Sequence, residues 1–211
     1  MIWSVHPVNP EKRIVSWIVE ALTQGKVLIL PTDTVYAFAC ASDSPRAIEQ
    51  IYNLKNLPEN KPLSLLCSDL AMASKYAQGI SNPVFRFMKA ATPGPFTFVF
   101  KANRNMDRRA TGKRKEVGIR IVDHVLIQEI VTLMEIPLLS TSVPYEDFFI
   151  DPEALDSTYG KRVHAVVDGG VRENTGSTIL NCVEGEITVE RRGAGAEILA
   201  RLGLDEFISQ E

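Results

Sequence analysis

Apolar residues at Ile14, Ile18 and Leu22, flanked by Val15 and Val19, recur at helical spacing and stop at Gly25. Asn9 as N-cap, Pro10 at the first helical position and Glu11 in the first turn predict a helix over this stripe. Val27–Leu30 is a continuous apolar run of strand length. A second helix is expected from Ser44-Pro45, with Ile48, Ile51 and Tyr52 on one face, ending near Lys55-Asn56-Leu57-Pro58. Leu63–Leu66 reads as an inner strand. Ser68-Asp69 and Asn82-Pro83 open two further helices, the second carrying Val84, Phe87, Met88 and Ala91. After the break at Thr92-Pro93-Gly94-Pro95, Phe96-Thr97-Phe98-Val99-Phe100 alternates with its large aromatics on one face, as a strand does. Val117–Val122, Pro137–Thr141, Val163–Val167, Thr178–Leu180 and Ile187–Glu190 are further strand candidates. Val125–Glu135 is an amphipathic helix, and Ala196 to Ile208 a terminal helical segment. Strands interspersed with helices at this spacing predict an α/β sheet, mixed in direction because hairpin-length links also occur.

At 211 residues the chain is long enough for one domain with a full core, expected over residues 1–211. Charged residues at 23% and apolar ones at 45% fit a globular protein. A net charge of −3 gives no whole-molecule attraction to nucleic acid, so any such contact needs a local patch. No secretory h-region opens the chain and no apolar run approaches the roughly 20 residues of a membrane span, which points to a cytoplasmic protein without a membrane partner. Cys40, Cys67 and Cys182 are odd in number and far apart, and read as buried thiols rather than disulfides or metal ligands. His6, His124 and His164 have no partner at metal-ligand spacing. No GxSxG, Walker-type or GxGxxG motif is present.

The chemistry concentrates where strands run out into hydroxyls. Val27–Leu30 ends at Pro31 and opens into Thr32-Asp33-Thr34, Leu138-Leu139 runs into Ser140-Thr141-Ser142, and Ser177-Thr178 follows Gly169-Gly170 and Gly176. In α/β proteins such strand ends are where ligands bind. Lys55 and Lys61 flank one loop, either as phosphate-binding point charges or as a solvated surface. Arg120, inside Val117–Val122, faces away from Ile119 and Ile121; it lies either on a solvated face or buried against an anion. Between Lys101 and Lys115 a basic run, Arg104, Arg108, Arg109, Lys113, Arg114 and Lys115, is opposed only by Asp107. It is either a solvated loop or a phosphate-backbone contact, without aromatics for base stacking.

PTDTVYAFAC, IYNLKNLPENKPL, VGIRIVDH, PLLSTS, VVDGG, STILN and Arg191-Arg192-Gly193, in this order, resemble the YrdC/YciO family from about Val5 to Ala194. The resemblance implies a twisted open mixed sheet with flanking helices and a concave ligand-binding face. It implies threonylcarbamoyl-AMP synthase chemistry: L-threonine, bicarbonate and ATP with Mg²⁺ as substrate, no tightly bound cofactor, pyrophosphate released, and a role in tRNA modification. Carried over by motif, Thr34, Arg120, Ser142 and Ser177 would hold threonine. Lys55, as the catalytic cation, and Arg191 would meet the nucleotide, and Lys61, which stands where the family pattern has a neutral residue, would add one positive charge there. The family's Lys-x-Arg arginine is Leu57 here, its Ser-x-Asn asparagine is Pro144, a threonine-pocket histidine is Leu66 and a nucleotide-site threonine is Glu116. This pattern resembles the YciO branch. The alternatives it leaves are a tRNA-, double-stranded-RNA- or ribosome-associated protein without synthase activity, and an enzyme acting on a preformed adenylate.

Overall fold

A computed structural model describes residues 1–58, 61–103, 115–144, 151–172 and 175–203. Its strands are β1 (Ile2–Ser4), β2 (Leu28–Leu30), β3 (Ala37–Ala41), β4 (Ser64–Leu66), β5 (Ala77–Gln78), β6 (Phe96–Ala102), β7 (Glu116–Arg120), β8 (Leu138–Ser142), β9 (Ala165–Asp168), β10 (Thr178–Asn181) and β11 (Thr188–Arg191). All join one open sheet in the order β1-β9-β2-β3-β8-β4-β7-β6-β10-β11, with β5 paired to β6. Directions are mixed. β2 and β1 run parallel to β9, β4 to β7 and β6 to β10, while the β2/β3, β3/β8, β4/β8 and β6/β7 pairs are antiparallel.

The helices are α1 (Lys12–Thr23), α2 (Pro45–Lys55), α3 (Leu70–Ser74), α4 (Asn82–Ala91), α5 (Val125–Met134), α6 (Pro152–Tyr159) and α7 (Ala196–Arg201). Their ends differ from the sequence reading in instructive ways. α1 starts at Lys12 behind Glu11, not behind Asn9. The His6 Nδ1 accepts the Val8 and Asn9 N–H groups, so residues 6–9 form their own turn before the helix. α4 is capped by Ser81, whose Oγ accepts the Val84 N–H and donates to the Gly185 carbonyl. α2 ends as read, because Asn56 adopts a left-handed φ of 50° that asparagine tolerates.

Two apolar clusters cover the sheet unequally. On one face Phe38, Leu65, Phe96, Phe98, Phe100, Ile119 and Leu139 build a large core with α2, α4 and α6. The alternation in β6 thus works as expected, with Phe87 of α4 set edge-on to Phe96 and Phe98 at 6.2 Å. On the other face Leu28, Leu30, Ala39, Leu66, Leu138, Ala165 and Val167 are sealed by α1 and α5. Beyond them, among the described residues, that second face carries Ser140, Ser64, Gly118, Thr97 and Arg120 alongside Val99. Cys40, Cys67 and Cys182 are buried free thiols, their ionisation pushed up to about 12 chiefly by burial.

Candidate functional site

The polar part of the second face is set by strand register. Ser140, Ser64 and Gly118 lie in one row across β8, β4 and β7. Residues two apart on a strand share a face, so Ser142 and Arg120 belong to the same side. Thr97 joins them from β6: a Cβ added at Gly118 would meet the Ser64 hydroxyl at 2.6 Å and the Thr97 methyl at 3.0 Å. Glycine at 118 therefore keeps the floor open between two serine- and threonine-bearing strands. Thr97 in turn shares a 2.7 Å hydrogen bond with the Ser177 hydroxyl.

At one end of this floor the 31–36 loop meets the end of β7. The Arg120 guanidinium donates to Asp33 Oδ1 at 2.5 Å and to the Thr34 hydroxyl at 3.2 Å. Both charged side chains are less than one-tenth exposed, at 9% and 7%. Arg120 is thus the buried, anion-paired arginine of the two alternatives, and its anion belongs to the opening motif. The Asp123 N–H donates to the second Asp33 oxygen at 3.2 Å, fixing the carboxylate. Thr32 does local work instead: its hydroxyl donates to the Val35 carbonyl at 2.6 Å and accepts the Thr34 N–H.

At the other end Lys55 leaves the last turn of α2 and reaches β8. Its Nζ donates to the Ser142 carbonyl at 2.6 Å, the Ser142 hydroxyl at 3.2 Å and the Thr141 hydroxyl at 3.3 Å. Burial first, then the charges of Lys61 and Arg191, push its ammonium down to about 8. Three cations from α2, the following loop and β11 therefore share one electrostatic neighbourhood. Arg191 also donates to the Ser177 carbonyl at 2.8 Å. The return from β11 is stitched to the 176–178 segment, with Gly193 N–H on the Thr178 hydroxyl and Ala194 N–H on the Gly176 carbonyl. A Cβ at Gly193 would lie 2.1 Å from that carbonyl, so only glycine permits the approach.

Other expected residues lie elsewhere. Of the basic run, Arg104, Arg108, Arg109, Lys113 and Arg114 fall outside the described residues. Lys115 is exposed, and Lys101 pairs with Glu184 at 3.1 Å. Leu57 packs against the large core and Leu66 lies wholly inside the second cluster. Glu116 faces Lys101 across the β7/β6 ladder. The sequence reading missed Thr97, Ser64 and Gly118 as floor, and Asp33 as the partner of Arg120. Thr97 had a signal: strand alternation places it opposite the phenylalanines flanking it.

A family model described as "Telomere recombination", for Sua5, YciO and YrdC proteins, matches residues 20–193. The chain belongs to the Sua5/YciO/YrdC family. Within it, the chain is 33% identical over 195 residues to the uncharacterized protein YciO of Escherichia coli, covering 90% of this chain and 94% of YciO. The crystal structure of E. coli YciO superimposes with a TM-score of 0.86, covering 92% and 96% of the two chains. A threonylcarbamoyl-AMP synthase of Vibrio vulnificus is 34% identical over 127 residues, covering 59% of this chain and 68% of the synthase. P. abyssi Sua5, crystallised with L-threonine, shares the fold at a TM-score of 0.86 and 21% identity, over 96% of this chain and 61% of Sua5. The sheet and flanking helices are therefore those of the Sua5/YciO/YrdC fold. No helix among the described residues is long and apolar enough to cross a membrane.

Proposed function

We propose that the chain is a nucleotidyltransferase of the threonylcarbamoyl-AMP synthase type, acting on L-threonine, bicarbonate and ATP in the pathway to threonylcarbamoyladenosine in tRNA. One observation carries this reading: the buried Arg120–Asp33 pair bonded to the Thr34 hydroxyl occurs together with Lys55, held on Ser142 and acted on by the charges of Lys61 and Arg191. A buried ion pair next to a hydroxyl is complementary to a free amino acid, with the guanidinium toward the carboxylate and the carboxylate toward the amine. Three cations in one neighbourhood suit a polyphosphate. The L-threonine bound by P. abyssi Sua5 and the name of the V. vulnificus relative support the choice of amino acid and reaction.

In this chemistry the threonine amine forms a bond to the carbon of carbon dioxide derived from bicarbonate and gives up a proton. A carbamate oxygen then attacks the α-phosphorus of ATP, the bond to the β-phosphate oxygen breaks, and pyrophosphate leaves with Mg²⁺ as counter-ion. Arg120, Asp33 and Thr34 hold the amino acid, with Ser142 and Ser177 orienting it. Lys55 and Lys61 stabilise charge on the phosphates and Arg191 meets the nucleotide. No side chain is needed as covalent nucleophile; positioning and electrostatics carry the rate. Ser142 pairs with Ala37, which follows the 31–36 loop, and its hydroxyl and carbonyl are the atoms that hold Lys55.

Leu57 and Pro144 supply no donor to the triphosphate. Loss of one charge-assisted transition-state contact costs about 2.7–4 kcal/mol, a hundredfold or more in rate, so this reading expects a slow enzyme. The purified protein with ATP, L-threonine, bicarbonate and Mg²⁺ is expected to yield pyrophosphate and the threonylcarbamoyl adenylate by mass spectrometry. Leu57→Arg with Pro144→Asn is expected to raise that rate, the arginine stem running along the core that Leu57 now covers. No adenylate at high enzyme concentration would overturn the reading.

A further inference from the structure

His124 and Arg172 have no task in the chemistry above, yet both carry buried polar atoms that the fold leaves unmatched. His124 is 7% exposed and stands at the head of α5, and neither of its ring nitrogens has a hydrogen-bond partner among the described residues. A neutral imidazole has one N–H to donate and one lone pair to fill, and leaving a buried polar group unmatched costs about 1–3 kcal/mol. Arg172 shows the same pattern: one terminal nitrogen donates to the Gly169 carbonyl, while its Nε is buried without a partner among the described residues. Arg172 lies close enough for its charge to act on the imidazole. Burial, and after it the positive charge of Arg172, push the His124 imidazole down to about 4, so it stays neutral at ordinary pH.

The surroundings make this an organised corner of the molecule. Tyr36 adjoins Arg172 and is committed to the turn that carries it, donating to the Gly170 carbonyl at 2.7 Å and accepting the Gly169 N–H at 3.2 Å. Asp168 is engaged by the Gly170 N–H and by the Ser4 hydroxyl. Asp33 is engaged by Arg120 and by the Asp123 N–H, which ties the residue before His124 to the buried ion pair. Three loops, 31–36, 121–124 and 169–172, thus meet beside the amino-acid end of the floor. The carboxylates there already have donors; among the described residues the donors of Arg172 Nε and of the imidazole do not have acceptors.

We propose that His124 and Arg172 form a subsite for a small planar oxyanion of the bicarbonate or carboxylate class, next to the Arg120–Asp33 pair. Such an anion accepts from the Arg172 Nε–H and from an imidazole N–H. Bicarbonate suits either imidazole tautomer, because its remaining O–H donates to an unprotonated nitrogen, whereas a carboxylate only accepts. The choice of bicarbonate rests on the function proposed above. It places the carbon source beside the amine that the Arg120 end would hold.

The test follows the imidazole resonances of the ¹⁵N-labelled full-length protein at pH 8 while sodium bicarbonate, or in parallel sodium acetate, is added at constant ionic strength. The expected result is a saturable shift at His124 and none at His6 or His164, with at least tenfold weaker binding in Arg172→Gln. Saturation with bicarbonate assigns the reactant; saturation with acetate alone assigns the carboxylate of a ligand. Absence of a saturable His124 shift with both anions in the wild-type protein overturns the subsite, as does unchanged affinity in folded Arg172→Gln. Calorimetry with L-threonine on the same sample keeps the two claims apart. Threonine binding without a His124 shift removes the subsite alone, and a His124 shift without threonine binding removes the proposed function alone.

Discussion

Arg120 and Asp33 illustrate how one contact can serve both fold and site. Each desolvates the other's charge, and removing one partner leaves the survivor buried and uncompensated, at about 3–5 kcal/mol. Asp33→Ala is therefore expected to lose about that much stability in urea unfolding, and Asp33→Ala with Arg120→Met to recover a large part of it. Additive losses in the double variant would mean that the pair is not coupled. Lys55 makes a second prediction. With its ammonium at about 8, it is a full cation below that pH, so phosphate or nucleotide affinity should fall as pH rises through 8 and level off once the bound form also titrates. The fall should vanish in Lys55→Met. The same lowering from 10.5 means the unfolded chain holds the Lys55 proton longer, so stability should rise between pH 8 and 10.5. The sequence singled out both cations, but not which residues they bond. Asp33 lies 87 residues from Arg120 and Ser142 as far from Lys55, separations that no local pattern encodes.

Among the elements, legibility followed the strength of the periodic signal. The helices α1, α2, α4 and α5 and the apolar strands β2, β6, β7 and β8 were readable from their spacing. β3 was not, because Ala37-Phe38-Ala39-Cys40-Ala41 is built from small residues of weak strand preference, and only its central position in the sheet buries all five. β1 is three residues on an edge, visible only through its pairing with β9. α6 offers Leu155 and Tyr159 as its core contacts after Pro152, too little periodicity to register, although Asp151 caps it through the Glu153 N–H. The floor of the site depends on β7 and its neighbours staying close. Gly118→Val would drive methyl groups into the Ser64 hydroxyl and the Thr97 methyl, at an overpacking cost of about 1–3 kcal/mol. The expected outcome is a lower unfolding midpoint together with loss of nucleotide-dependent product. An unchanged midpoint and unchanged turnover would show that the floor is not as tight as the 2.6 Å approach implies.

On the scale of the molecule, the unequal covering of the two sheet faces explains where function can sit. One face is closed by a large core, and the other is sealed by α1 and α5 only over its leucine- and alanine-rich part. What remains is the row of Ser140, Ser64 and Gly118 in register across β8, β4 and β7, which meets Val99 on β6, with Arg120 and Thr97 on the same side of their strands, two residues from Gly118 and Val99. The mixed α/β class and the ordered motifs of the family were legible in the sequence; this partition was not, since it depends on which strands become neighbours. The central claim is that the Arg120 end of this row reads a free amino acid. Calorimetric titration of L-threonine into the wild-type protein and Thr34→Val tests it most directly. Saturable binding to the wild type, weakened at least tenfold by the loss of the Thr34 hydroxyl, is the predicted result; absence of saturable heat in the wild type, or equal affinity in Thr34→Val, would contradict it.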